Sequence, residues 1–113
     1  MDRQVKKYLY DIQSAIESIE SFVAQKGKRF DIFLSDHMFR SAIERQIGII
    51  GEAMSRAMKL DPTVPITDAK KIVGTRNYVI HAYDSLTPEI IWEIVVNDLS
   101  LLKDEVKTLL SEK

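Results

Sequence analysis

Between positions 76 and 83 the chain reads Arg76-Asn77-Tyr78-Val79-Ile80-His81-Ala82-Tyr83, a guanidinium, an amide, an imidazole and a phenol within eight residues. An imidazole with an ordinary pKa of about 6.5 can take or give a proton near neutrality. A guanidinium offers a planar fork of donors that matches the oxygens of a phosphate. On a helix, residues four apart share a face, so Asn77 can orient the His81 ring. Arg76 and Tyr83 are seven apart and align on a second strip. Arg76 and His81, five apart, diverge by about 140° at roughly 100° per residue. A site using both needs a wrapping Arg side chain, a distorted helix end, or a second copy of the protein completing the cleft.

The rest of the chain must hold that segment in place, and its periodicity is helical. Val5, Tyr8, Leu9, Ile12, Ala15, Ile16, Ile19, Phe22 and Val23 follow the three-four spacing of one buried stripe. Gly27 then stands where a C-cap is expected, and Asp31 or Asp36 can cap the next helix. A second stripe from Met38 to Leu60 carries Phe39, Ile43, Ile47, Ile50, Met54 and Ala57, with Gly48 and Gly51 inside it. Asp61-Pro62-Thr63-Val64-Pro65 ends it, since two prolines so close cannot sit in a helix interior. A third helix is expected from Thr67 or Asp68 to about Tyr83, with Gly74 either kinking it or admitting another backbone. Thr87 and Pro88 read as N-cap and first residue of a last helix reaching about Leu110, with Ile91, Ile94, Val95, Leu99, Leu102, Val106 and Leu109 inward. Nothing reads as a strand. The pattern predicts an all-α antiparallel bundle of four main helices, with a short extra turn around Asp31 to Leu34, in one domain spanning residues 1–113.

Composition narrows the chemistry. The chain has 113 residues, 45% hydrophobic and 29% charged, with a formal charge of −1, so no global basic field draws it to nucleic acid. Any RNA contact must come from a local patch or a dimer cleft. There are no cysteines and only two histidines, far apart, which gives no zinc spacing and calls for no metal or other cofactor. No run is apolar and long enough to span a bilayer, and no signal core opens the chain. A cytoplasmic protein is expected. No Gly-rich phosphate loop or nucleophile elbow occurs.

Arg76, four residues, His81, one residue, Tyr83 resembles the motif of the HEPN superfamily, in its HepT-like branch. Ala42-Ile43-Glu44-Arg45-Gln46-Ile47-Gly48-Ile49-Ile50-Gly51-Glu52-Ala53 is similar to that branch's second helix. Gly74-Thr75-Arg76-Asn77 is similar to its approach to the motif, and the segment after Pro88 with Trp92 to its last helix. One departure is visible: many relatives carry a Trp before the motif helix, where this chain has Ile66-Thr67-Asp68-Ala69-Lys70-Lys71. That is a packing position.

The resemblance implies a metal-independent ribonuclease acting as toxin in a type II/VII-like toxin–antitoxin pair. It also implies a homodimer with facing motifs, and a cognate nucleotidyltransferase antitoxin that attaches AMP to Tyr83. Metal-free RNA cleavage needs a base for the 2′-hydroxyl, an acid for the leaving oxygen and a cation for the phosphorane charge. His81 and Arg76 fit those roles, with Asn77 as orienting or substrate-binding partner. Glu52 and Asp84 are supporting candidates: either can pair with Arg76, and Glu52 is expected to bond the motif helix. The same residues also read as ordinary surface chemistry, a solvated His beside an Asn and a half-buried Tyr. A second functional reading is a non-catalytic nucleotide- or substrate-binding subunit of a minimal nucleotidyltransferase, since a nucleotide phosphate also attracts Arg and His. A third is a dimerisation module without chemistry.

Overall fold

Asp2 starts the first helix. Its Oδ1 accepts hydrogen bonds from the backbone N–H groups of Gln4 and Val5 at 2.7 and 3.3 Å, satisfying donors that have no partner inside the helix. From there α1 runs over Arg3–Lys26. The computed structural model describes residues 1–80 and 87–112, with the side chains of all of these except 75–80. Val5, Leu9, Ile12, Ile16 and Ile19 form the buried strip of α1, each contributing roughly 1.5–3 kcal/mol by leaving water. Gly27 closes the helix at φ 96°, where a side chain would be strained, and its N–H bonds the Val23 carbonyl at 2.7 Å.

The short extra turn is real: α2 spans Phe30–Ser35 and sinks Phe33 fully into the core. Asp36 then caps α3, His37–Leu60, by accepting from Phe39 N at 3.0 Å. Its other oxygen lies 3.0 Å from Lys26 Nζ, so one carboxylate joins the end of α1 to the start of α3. Beyond Leu60, Asp61 Oδ1 accepts from the N–H and hydroxyl of Thr63 at 3.0 and 2.7 Å, an Asx turn that folds Val64 and Ile66 inward. The chain reverses there. α4, Ala69–Ile80, lies back along α3.

The last segment departs from the expected single α-helix. It is built of α5 (Pro88–Glu93), a π-helical turn (Ile94–Asp98) and α6 (Leu99–Ser111). The inserted residue shifts the register, so Ile94 and Leu99 are both buried five positions apart while Val95 is only half-buried. α1 packs on α3 and α6, and α2 wedges against α3 and α5. At that wedge Phe33 and Trp92 sit 5.0 Å apart between ring centroids, with the Phe39 ring nearly perpendicular to Phe33 at 6.1 Å. All regular structure among the described residues is helical. Of the methionines, Met54 is fully buried, whereas Met38 is 85% exposed and no part of the core. No helix among the described residues is long and apolar enough to cross a membrane.

Candidate functional site

α4 carries the first half of the motif, and its start is tied down by polar contacts from the last segment. Glu105 on α6 accepts from Thr67 N with both carboxylate oxygens at 3.1 Å, and from Thr67 Oγ1 at 3.0 Å. Asp68 adopts φ 61°, a left-handed conformation that Asp tolerates, and its carbonyl accepts the Ile72 N–H at 3.0 Å. Within the first turn of the helix, Lys71 Nζ reaches Asp98 Oδ2 at 3.0 Å. Ile72 is buried, with Ala69 and Val73 at the core's margin. The contacts therefore fix both the position and the rotation of the helix that leads to Arg76. Helix α4 passes through Gly74 unbroken, and a Cβ built there would meet no atom within 4 Å, so close approach of another backbone is not its reason.

Arg76 and Asn77 lie in the second half of α4. His81, Tyr83 and Asp84 lie outside the described residues, as does the expected continuation of the helix to Tyr83. Glu52 is half-buried on α3, the helix against which α4 packs. Its Oε1 accepts from Arg56 Nε at 2.9 Å, an i,i+4 ion pair within α3. The fold thus brings the helix of Arg76 and Asn77 beside the helix of Glu52.

Glu52 also lines an open groove of about 570 Å³ between α1 and α3, a feature that periodicity did not single out. Tyr8 and Asp11 line it from α1, and Arg45, Gly48, Glu52 and Arg56 from α3. The hydroxyl of Tyr8, then the carboxylate of Glu52, hold the Arg56 guanidinium and raise its pKa further above an already high value. Lys7 pairs with Asp11 at 2.8 Å and stands 5.0 Å from the centre of the Tyr8 ring. A signal for this groove existed in the sequence. Arg45, Gly48, Glu52 and Arg56 recur at three- and four-residue steps, opposite the buried stripe of the same helix. A second void, about 20 Å³ between Ile47, Ile72 and Leu102 beneath the Lys71–Asp98 pair, holds no more than a water. Among the described residues no three His, Asp or Glu side chains form a set able to hold a metal ion.

The all-helical bundle, its short second helix and its motif-bearing fourth helix define a HEPN-like protein. A family model described as "Ribonuclease HepT-like" matches residues 12–109. The chain belongs to the HepT-like family of the HEPN superfamily. A "Putative RNase" of Methanocaldococcus jannaschii is 36% identical over 110 residues, covering 93% of this chain and 95% of the relative. The "Probable ribonuclease HepT" of Thermococcus cleftensis is 34% identical over 113 residues, covering 96% of this chain and 98% of the relative. A bacterial relative, a "Putative RNase" of Caldanaerobacter subterraneus subsp. tengcongensis, is 33% identical over 92 residues, 78% of this chain and 80% of its own. No solved structure matches the chain.

Proposed function

We propose that this protein is a metal-independent ribonuclease, the toxin of a toxin–antitoxin pair. The observation that carries this reading is the family match across residues 12–109 in a chain that keeps Arg76, His81 and Tyr83 at the motif's spacing. His81 transfers the proton, Arg76 grips the scissile phosphate, and Asn77 orients the ring or the substrate. Two chains assemble with motifs facing across a cleft, which overcomes the angular offset between Arg76 and His81 within one helix. A cognate nucleotidyltransferase silences the enzyme by attaching AMP to Tyr83. The added phosphodiester brings negative charge onto the strip it shares with Arg76 and competes for the phosphate site. Proton transfer by a placed side chain is worth roughly 10²–10⁴-fold, and oriented charge a comparable factor, so the reaction needs no metal to be fast.

The test is cleavage of end-labelled RNA in excess EDTA by protein whose intact mass excludes AMP on Tyr83. Wild-type protein should leave cyclic-phosphate ends, and His81→Ala should lose about 10²–10⁴-fold in rate. An inert wild type on a broad RNA panel would overturn the ribonuclease and favour the nucleotide-binding subunit. Equal rates in both proteins would remove His81 from the mechanism.

A further inference from the structure

The groove between α1 and α3 has the makings of a track for nucleic acid. Five of its nine lining residues are charged, namely Lys7, Asp11, Arg45, Glu52 and Arg56. The core of a protein–protein contact is depleted of charge, so a second copy or an apolar peptide is a poor match for this surface. Three of the five are cations, which gives the groove a positive balance in a chain whose formal charge is −1.

The cations are also arranged. Arg45 and Arg56 are eleven residues apart on α3, which is about 16 Å along the axis at 1.5 Å per residue. That separation suits a few nucleotides of an extended strand. Arg56 is held by Glu52 at 2.9 Å, in the groove that Tyr8 also lines, and retains further N–H donors for a phosphate oxygen. Lys7 is steadied by Asp11 and the Tyr8 ring. Arg45 is exposed and has no ion-pair partner among the described residues, so its whole fork is open to a ligand.

We infer that this groove binds the single-stranded RNA flanking the cut site, with Arg45 and Arg56 on phosphates a few nucleotides apart and Lys7 at the rim. The inference rests on the ribonuclease reading for its ligand, and it adds where the strand runs. Phosphate contacts of this kind are independent of sequence and fix the register of the strand.

The experiment is binding of a short fluorescein-labelled 2′-O-methyl RNA, which cannot be cleaved, to the full chain across a series of KCl concentrations. Arg45→Ala and Arg56→Gln should each weaken binding and reduce the slope of log affinity against log salt by about 0.7, the value of one single-strand phosphate contact. Arg45→Glu should weaken it further. Light scattering and melting on the same samples keep folding and assembly in view. Unchanged affinity and slope in Arg45→Glu would overturn the inference, as would a changed oligomeric mass with RNA affinity retained, which makes the groove a protein interface. The two readings fail separately. Groove-dependent binding by a protein that cleaves nothing leaves the track standing without the ribonuclease. Cleavage with groove-independent binding does the reverse.

Discussion

Lys71 Nζ stands 3.0 Å from Asp98 Oδ2, so the first turn of the motif helix is fastened to the π turn of the last segment. The carboxylate oxygen is buried and finds no well-directed hydrogen bond, which leaves the ammonium as its compensation. Half of the lysine side chain remains in water, so solvent screening leaves the pair itself little net worth. Removing its two members is not equivalent. Lys71→Met strands the buried oxygen of a partly exposed carboxylate, whereas Asp98→Asn strands only a solvated ammonium. Urea unfolding should show the larger loss for Lys71→Met. Equal losses would mean that water already satisfies the carboxylate.

Phe33 and Trp92 give a second prediction. Phe33 is fully buried and its ring centre lies 5.0 Å from that of Trp92, the sole tryptophan. Phe33→Ala should cost about 3–5 kcal/mol. Because Trp92 is 8% exposed, the native protein should emit at short wavelength. In Phe33→Ala that emission should move to the red, since removing the ring opens the wedge between α2, α3 and α5. An unmoved spectrum would show that neighbouring side chains refill the space.

The helices and their inward faces were legible because apolar side chains recur at the period of the backbone. Val5 to Ile19 and Phe39 to Ala57 are buried as that rule requires. Caps at Asp36 and Gly27 were legible for the same local reason. The π turn was not foreseen, because Ile94-Val95-Val96-Asn97-Asp98 carries no cap and no proline. The one available hint was the five-residue step from Ile94 to Leu99. The polar ties on α4 were beyond reach for a different reason. Thr67 and Glu105 are 38 positions apart, and no periodicity relates them. For the candidate site, the sequence supplied the residue types at 76, 77 and 81 and the offset between Arg76 and His81. Of the groove beside Glu52 it supplied one side, the strip of Arg45, Gly48, Glu52 and Arg56, but not the groove itself, which arises only when α1 is laid against α3.

Acid should weaken the junction of α1 and α3. The Asp36 carboxyl is held below its ordinary value, first by the hydrogen bond from the Phe39 backbone and then by Lys26. A carboxyl depressed in the folded state stabilises fully above the ordinary carboxylate range, near pH 4. That contribution fades as pH falls through the depressed folded value. Asp36→Ala should be less stable than wild type at neutral pH, because the N-cap is lost. Its stability should then fall less steeply than that of wild type below pH 4. Parallel acid profiles from chemical denaturation would mean that the cap is equally formed in the unfolded chain.

Arg76 supplies the sharpest test of the proposed chemistry, because charge and shape can be separated at one position. Arg76→Lys keeps a cation on α4 but replaces a planar fork with a point charge. If Arg76 binds the scissile phosphate through two donors, this variant should lose most of the RNA-cleaving rate, at least about tenfold, with its melting temperature unchanged. If the position needs only positive potential, Lys should serve nearly as well. Tyr83→Phe completes the comparison. It should leave cleavage intact while making the protein refractory to inactivation by a nucleotidyltransferase and ATP, read as no gain of AMP mass. Inactivation that persists in Tyr83→Phe would move the modification, and the switch with it, to another residue.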